Sequence, residues 1–379
     1  MIERLLHLAA LLALALALAL TLVVPNVVIF GWGHPLLPGP MHLVTLGAIV
    51  SGAYALLNRL WRRLYGDGAP WPPLLWAAAA LHVVGVALLV WGFLTLDTGL
   101  ALVGGHYLVP TGLVLLLVHG AVAVWRRPRG TPRWLVTHLP GLGLFVAMSL
   151  GALLVMEART PRWGLYTPDM ILMHLLAAGF LFVLPMLLLP GALADATAVE
   201  QPAAPLALLR WYAATATGAG GVLLVALTLD GSAPARFFTI GLALLGALLV
   251  WLGLPPGGRW RGVALVPLAG RLATGVLLFY AAMRYARGAL PGDPLWLARV
   301  GVLLFALGVA VPELLVLLER EEGAHGAMRR QALWLVGTAV LLAGQLWAQP
   351  SMVRLGVLIW LAGLLWHATV SFRASDLKA

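Results

Sequence analysis

One phrase is written twice in this chain, as Met41-His42-Leu43 followed by Gly47 and as Met173-His174-Leu175 followed by Gly179, and each copy opens a long apolar run. An imidazole held at one depth in two lipid-embedded helices is a demanding residue in a repeated place, and ionisable groups inside a membrane are functional hypotheses by default. Neutral imidazole ligates both haem iron and copper. His42 and His174 are therefore candidate metal ligands, with Met41 and Met173 as soft donors beside them. His106, near the outer end of a later run, and His82, near the middle of another, are further candidates for holding the same cofactor. The competing reading of a histidine at a helix end is an interfacial residue satisfied by water or a backbone carbonyl. For His82, a neutral ring bonded to a helix carbonyl would serve, and His7, His138, His325 and His367 are all read as interfacial.

Glu313 follows Pro312 inside an apolar run. A carboxylate in lipid must face the bundle and be protonated or paired, which makes Glu313 a candidate for a proton path. A structural partner for the backbone opened by Pro312 is the alternative. Glu157 and Asp169, with Arg159 and Arg162, read as a solvated ion-pair cluster. Trp61, Trp71, Trp125, Trp134, Trp163 and Trp260 fall at the ends of apolar runs and read as an interface belt.

The elements that must position these groups are membrane helices. Of 379 residues, 62% are hydrophobic and 10% charged, with a mean hydropathy of +0.97, which excludes a soluble globule. Runs of the roughly 20 apolar residues that cross a bilayer as a helix recur along the whole length. Twelve spans are predicted, at roughly 5–30, 40–61, 72–94, 99–125, 134–156, 169–194, 205–229, 236–254, 263–286, 294–318, 331–348 and 351–371. The first lacks a convincing cleavage site and is read as a retained helix rather than a signal peptide. The fold class is an all-α polytopic membrane protein, one transmembrane domain over residues 1–379. Short connections such as Gly33-His34-Pro35 and Asp67-Gly68-Ala69-Pro70 leave no room for a soluble domain.

The absence of cysteine excludes disulfides, thiolate metal sites, iron–sulfur clusters and covalent c-type haem attachment. Any metal must sit on His, Met or oxygen, so a haem would be non-covalent and b-type. The net charge of +10 is explained by topology rather than by nucleic acid, because the arginines sit at helix ends. With both termini cytoplasmic, 17 of the 24 Lys and Arg fall inside and 7 outside, a clear positive-inside bias. The expected location is the inner (cytoplasmic) membrane. That orientation puts His42, His106 and His174 near the outer ends of their helices, with His34 in the loop above.

The phrase repeats further in a weaker form. A comparable step beyond His174 reaches Leu295-Trp296-Leu297 with Gly301, where Trp296 takes the histidine place. The chain thus reads as three four-helix units in parallel, about 1–130, 131–255 and 256–379. Gly47, Gly52, Gly179 and Gly301 clear helix faces for close packing or for the flat approach of a large cofactor, with packing the expected use of most of them.

In these residues the chain resembles subunit I of the haem-copper oxidase superfamily, and more closely its divergent relatives and the NnrS-type membrane proteins linked to nitric oxide metabolism. The resemblance rests on the His42 phrase, the Gly105-His106 start of helix four and the His174 phrase ending in Leu184-Pro185. It implies haem or copper, His42 as a haem ligand, His174 as a metal ligand, and partners among respiratory or denitrification subunits. The oxidases also require a His-x-His motif in helix ten and paired histidines in helix seven, and neither is present here. A full oxygen reductase is therefore not expected. Two other classes remain open: a twelve-span proton-coupled transporter using Glu313, and a non-catalytic subunit or assembly factor of a respiratory complex.

Overall fold

The computed structural model describes residues 2–30, 36–65, 71–126, 307–308, 311–318 and 324–376. Predicted spans five to nine, with His138 and His174, lie outside the described residues. So do most of span ten, the Trp296 phrase, His34 and the side chain of Glu313, and with them the twelve-span total and the threefold repeat. Among the described residues all regular structure is helical.

The chain opens with α1 (Ile2–Val23) and, after a break at Val24-Pro25, a short α2 (Asn26–Phe30). Pro25 ends the first helix earlier than the predicted span 5–30, because its ring removes a backbone donor and clashes with the preceding turn. Next comes one continuous span built of α3 (Pro38–His42), a π-helical segment Leu43–Val50 and α4 (Ser51–Tyr65). α5 (Pro72–Thr95) returns, and α6 (Thr98–Leu102), a second π-helical segment Val103–Leu108 and α7 (Val109–Trp125) form the fourth crossing. Far along the chain lie α8 (Val311–Leu318), α9 (Ala324–Leu346) and α10 (Pro350–Asp376).

Five of these stretches are long and apolar enough to cross a membrane: Ile2–Val23, Pro38–Arg59, Pro72–Thr95, Thr98–Ala123 and Pro350–Ser371. They agree with predicted spans two to four and twelve within a few residues, and the first overlaps span one but ends seven residues before that span does. α9 starts seven residues before predicted span eleven and carries Arg329, Arg330 and Gln331 in its first half. Charged residues there make it the most polar of the long helices.

Cross-helix contacts fix the relative directions. Glu3 meets Arg59 and Ala13 lies against Gly47, so α1 and the α3–α4 rod are antiparallel. His7 meets His367, and Arg354 Nε donates to the Leu22 carbonyl at 3.3 Å, so α1 and α10 are antiparallel as well. Leu314 lies on Gly52, and Leu318 O accepts from Arg59, so α8 runs parallel to α4. These directions agree with the sense assigned from the sequence to spans one, two, ten and twelve. They also gather the first turn of α1, the end of α4 and the last turns of α10 on one side of the bundle.

Two hairpins are closed by the same device without glycine. Leu96 adopts φ 58°, and Asp97 N–H reaches back to the Gly92 carbonyl at 2.8 Å; Ala348 adopts φ 52°, and Gln349 N–H reaches the Gly344 carbonyl at 2.7 Å. A left-handed residue followed by a bond spanning five positions is a Schellman-type ending, which turns the chain within two residues. Asp97 then caps α6 by accepting the Leu100 N–H at 3.1 Å. Pro350 at the first position of α10 does the equivalent work by pre-setting φ.

Close approach of backbones is what glycine provides within both hairpins. A Cβ at Gly104 would strike Gly85 O and Leu89 N, and one at Gly112 would lie 2.8 Å from Ala78 O, so α5 and the fourth crossing touch main chain to main chain. Gly337 and Gly356 cross in the same way between α9 and α10, each facing the other's carbonyl. Gly47 and Gly52 are packing glycines too, against Ala13 and Leu314. In lipid, helix association draws on such contacts rather than on a hydrophobic difference between helices.

Candidate functional site

His42 ends α3 at the entry to the π segment. Its Nδ1 stands 2.7 Å from the Pro38 carbonyl oxygen, four residues earlier. A carbonyl can only accept, so Nδ1 carries the proton and Nε2 carries the lone pair. The ring stacks on Phe93 of α5, centroids 5.2 Å apart and planes at 22°. It is half-buried, and its orientation is fixed from two sides.

One helical turn further along the same rod, the Leu46 carbonyl accepts from His82 Nε2 at 2.9 Å. Leu46 lies within the π segment, where bonding shifts from i→i+4 towards i→i+5, a local irregularity that recurs at functional sites. The same logic as at His42 gives His82 the opposite tautomer: Nε2 holds the proton and Nδ1 the lone pair. That Nδ1 is buried and has no hydrogen-bond partner among the described residues. The ring of His82 stacks on Tyr54, centroids 5.1 Å apart and planes at 23°. Gly112 allows α7 to press on the backbone at His82, where a Cβ in place of its hydrogen would come within 3.0 Å of His82 N.

Tyr54, Asn58 and Trp61 follow at i, i+4 and i+7, one stripe of α4. All three are buried. Tyr54 Oη and Asn58 Nδ2 have no partner among the described residues, and Trp61 lies against His119 of α7 with ring centroids 4.4 Å apart. A neutral polar column therefore descends from His82 to His119 through the interior of the first four crossings. Buried polar atoms without protein partners are the places where ordered water or a bound group belongs.

His106 lies inside the second π segment and is half-buried. The two glycines before it, Gly104 and Gly105, face the Leu89 region of α5. His42, by contrast, is level with Phe93, and His82 is seven residues below Leu89. At about 1.5 Å per residue these three histidines are spread along the membrane normal. Among the described residues no three His, Asp or Glu side chains gather into a group able to hold a metal ion. A metal on His42 would take its other ligands from outside that set, which is where His174 lies.

Two sequence readings change here. Trp61 is not part of an interface belt: it is 4% exposed and packed on His119, whereas Trp71 at 53% and Trp125 at 89% do sit exposed at helix ends. Position at a helix end predicts an interfacial tryptophan only when that end faces lipid. His7 and His367 are not separate interfacial residues either. They meet across α1 and α10, Nε2 to Nε2 at 3.3 Å, and His367 is fully buried. Nothing in the sequence links two positions 360 residues apart.

The buried ion pair was also not legible. Arg59 Nε donates to Glu3 Oε1 at 2.7 Å, and Arg59 Nη2 donates to the Leu318 carbonyl at 2.9 Å, which ties α1, α4 and α8 at one point. The guanidinium fork serves two acceptors at once, as its planar geometry allows.

No protein-family model matches this chain, and no curated protein matches it.

Proposed function

We propose that this chain is a membrane protein that binds haem or copper, of respiratory or nitric-oxide-related character, with His42 as a haem ligand and His174 as a metal ligand. The observation that carries the reading is the Nδ1–H bond from His42 to the Pro38 carbonyl, 2.7 Å long. Metal-ligating histidines commonly donate their second nitrogen to a backbone carbonyl, which fixes the tautomer and raises the basicity of the ligating nitrogen. His42 has that arrangement, with Nε2 left to ligate.

A bound haem or copper would supply reversible one-electron chemistry or the capture of a diatomic ligand. The chain's own part is positional. Pro38 and Phe93 hold the His42 ring in one plane, the His82–Leu46 bond pins α5 to the π segment, and the packing glycines set helix spacing around the layer. His82, with its buried Nδ1 lone pair, and His106 lie below His42 as polar groups that orient water near a cofactor. Glu313, on the helix whose Leu314 packs against Gly52, is the proposed proton-path residue. The proposed setting is the cytoplasmic membrane, both termini inside, in twelve spans of three pseudo-repeated units, alongside respiratory or denitrification partners. Predicted spans seven (205–229) and ten (294–318) lack the histidines of an oxygen reductase, so oxygen reduction is not part of the reading.

The test is the optical spectrum and metal content of the detergent-solubilised protein from haem-sufficient cells. A Soret band or stoichiometric copper, reduced in His42→Ala and His174→Ala, is the expected result. A colourless, metal-free preparation of folded protein overturns the proposal.

A further inference from the structure

We propose that the seam between α1 and α10 is an acid-opened latch, in which His7 and His367 hold each other through one shared proton and part when both rings are charged. It uses no residue of the His42 layer and stands apart from the cofactor reading.

The contact between the two rings carries the inference. His7 Nε2 and His367 Nε2 are 3.3 Å apart, and the rings meet edge-on, with centroids 5.5 Å apart and planes at 62°. Nitrogen bonds to nitrogen across such a contact only if one carries a proton and the other a lone pair. With both rings neutral, one Nε2–H supplies that proton. A first proton taken from solvent goes to Nδ1 of the donor ring, and the bond becomes an imidazolium–imidazole one, charge-assisted and stronger. A second proton has only the accepting Nε2 left to occupy. Two N–H groups and two positive charges then face each other, and the bond between the helices is lost.

Ser371 provides the alternative partner. Its Oγ, one turn after His367 on α10, is 3.4 Å from the same Nε2, beyond the roughly 2.7–3.2 Å of a well-formed N–H···O bond. When both rings are charged, the His367 Nε2–H turns from His7 to this hydroxyl, exchanging a bond between helices for one within α10. His7 is half-buried and admits protons from solvent, whereas His367 is fully buried.

The charges around the pair oppose the second proton. Glu3, one turn before His7 on α1, is already neutralised by Arg59 of α4 at 2.7 Å. Arg330 of α9 is buried one turn before Trp334, whose ring lies 5.9 Å from that of His367, and it adds a fixed positive charge from the helix packed on α10. Arg4, Arg62 and Arg329 are exposed. Among the described residues α2 and the π segment beside α1 carry no charged side chain, and His42 of α3 lies at the other end of α1. In the unfolded chain the two rings are apart and each binds its own proton. The unfolded state therefore binds more protons than the latched one on the acid side of the imidazole range, so stability falls as pH is lowered.

The chain has no cysteine, so nitroxides can be attached uniquely at Arg4→Cys and Thr369→Cys, both exposed beside the seam. The experiment is double electron–electron resonance on the labelled full-length protein in nanodiscs from about pH 8 to about pH 5, the range over which imidazole changes charge. A longer and broader distance distribution at acid pH, reversed on neutralisation, is expected. In His7→Gln, which keeps a hydrogen-bonding group but takes no charge, the distance should not respond, and Ser371→Ala should move the response to lower pH. Over the same range Tm should fall roughly twice as far in the wild type as in His7→Gln. A distance unchanged by pH in the labelled protein overturns the latch. So does a response kept in His7→Gln and lost in Glu3→Gln, which assigns the sensor to the carboxylate. Should His7→Gln fail to fold, nitrogen NMR of the histidine-labelled protein decides: both Nε2 atoms protonated only once the labels separate upholds the latch, and both protonated at an unchanged distance rejects it.

Discussion

Two regions of this molecule place histidine against aromatic rings and use it in opposite ways. In the layer formed by the first four crossings, His42 and His82 each give a proton to a backbone carbonyl, at 2.7 and 2.9 Å. In the seam between α1 and α10, His7 and His367 face one another. A carbonyl has no proton to return, so it fixes one tautomer and leaves one defined lone pair per ring. A second imidazole can donate or accept, so the pair is interchangeable, with either Nε2 able to carry the shared proton. The partner, not the residue type, decides what an imidazole can do.

The substitution with the largest expected effect acts on the pin that both regions share. Arg59→Met takes the guanidinium away from the part-buried Glu3 carboxylate and loosens α4 below the His42 layer. Removing one partner of a buried pair destabilises by about 3–5 kcal/mol. Thermal unfolding in detergent should show this, and Glu3→Gln combined with Arg59→Met should recover a good part of it. A double variant as unstable as the single one would mean that the Leu318 contact, not the charge pair, carries the pin.

Next in size are changes that test whether the first region depends on main-chain contact. Gly104→Ala places a methyl against Gly85 O and Leu89 N, whereas Gly105→Ala meets the flexible Leu89 side chain at 2.8 Å. Overpacking of the first kind costs about 1–3 kcal/mol, with a smaller loss where the neighbour can rotate away. Equal losses in chemical unfolding would show that the two glycines are used alike.

The third change removes a polar partner from each region. His82→Leu takes its side-chain donor from the Leu46 carbonyl, and Trp360→Phe removes the indole N–H that reaches Thr338 Oγ1 at 2.9 Å between α10 and α9, on the helix that carries His367. Each should lower stability by about 1–2 kcal/mol. Only His82→Leu should alter a cofactor spectrum. A spectral change in Trp360→Phe would dissolve the separation between the regions.

The smallest expected effects are gains. Leu96→Gly and Ala348→Gly relieve left-handed backbone worth about 1–2 kcal/mol, offset in part by the greater freedom of glycine in the unfolded chain. Each hairpin should gain a few tenths to about 1 kcal/mol in Tm-based comparison. A loss in either would mean that its side chain contributes more by packing than its backbone conformation costs.

Much of the helical frame was readable in advance. Apolar length and the short turn-forming connections placed the Pro38, Pro72, Thr98 and Pro350 boundaries within a few residues. The break at Pro25 was written in the chain as well, though an uninterrupted apolar run concealed it. His42 and His82 could be singled out because a histidine among leucines and valines is conspicuous. The π segments could not, since bonding to i+5 arises from how neighbouring helices press on the rod. Tyr54, Asn58 and Trp61 form a polar stripe that spacing alone permits, but their burial depends on which face α5 and α7 cover.

The sequence by itself determined that this chain lives in a membrane as helices, where the second, third, fourth and last described crossings begin and end, and which residues are too polar to be indifferent there. These follow from transfer energies and helix geometry, which act over a few neighbouring residues. Tertiary structure alone decided which nitrogen of His82 carries its proton, and that residue 7 meets residue 367 across 360 positions of chain. Those outcomes depend on atoms brought within hydrogen-bond reach by the packing of separate helices, a distance that no local pattern encodes.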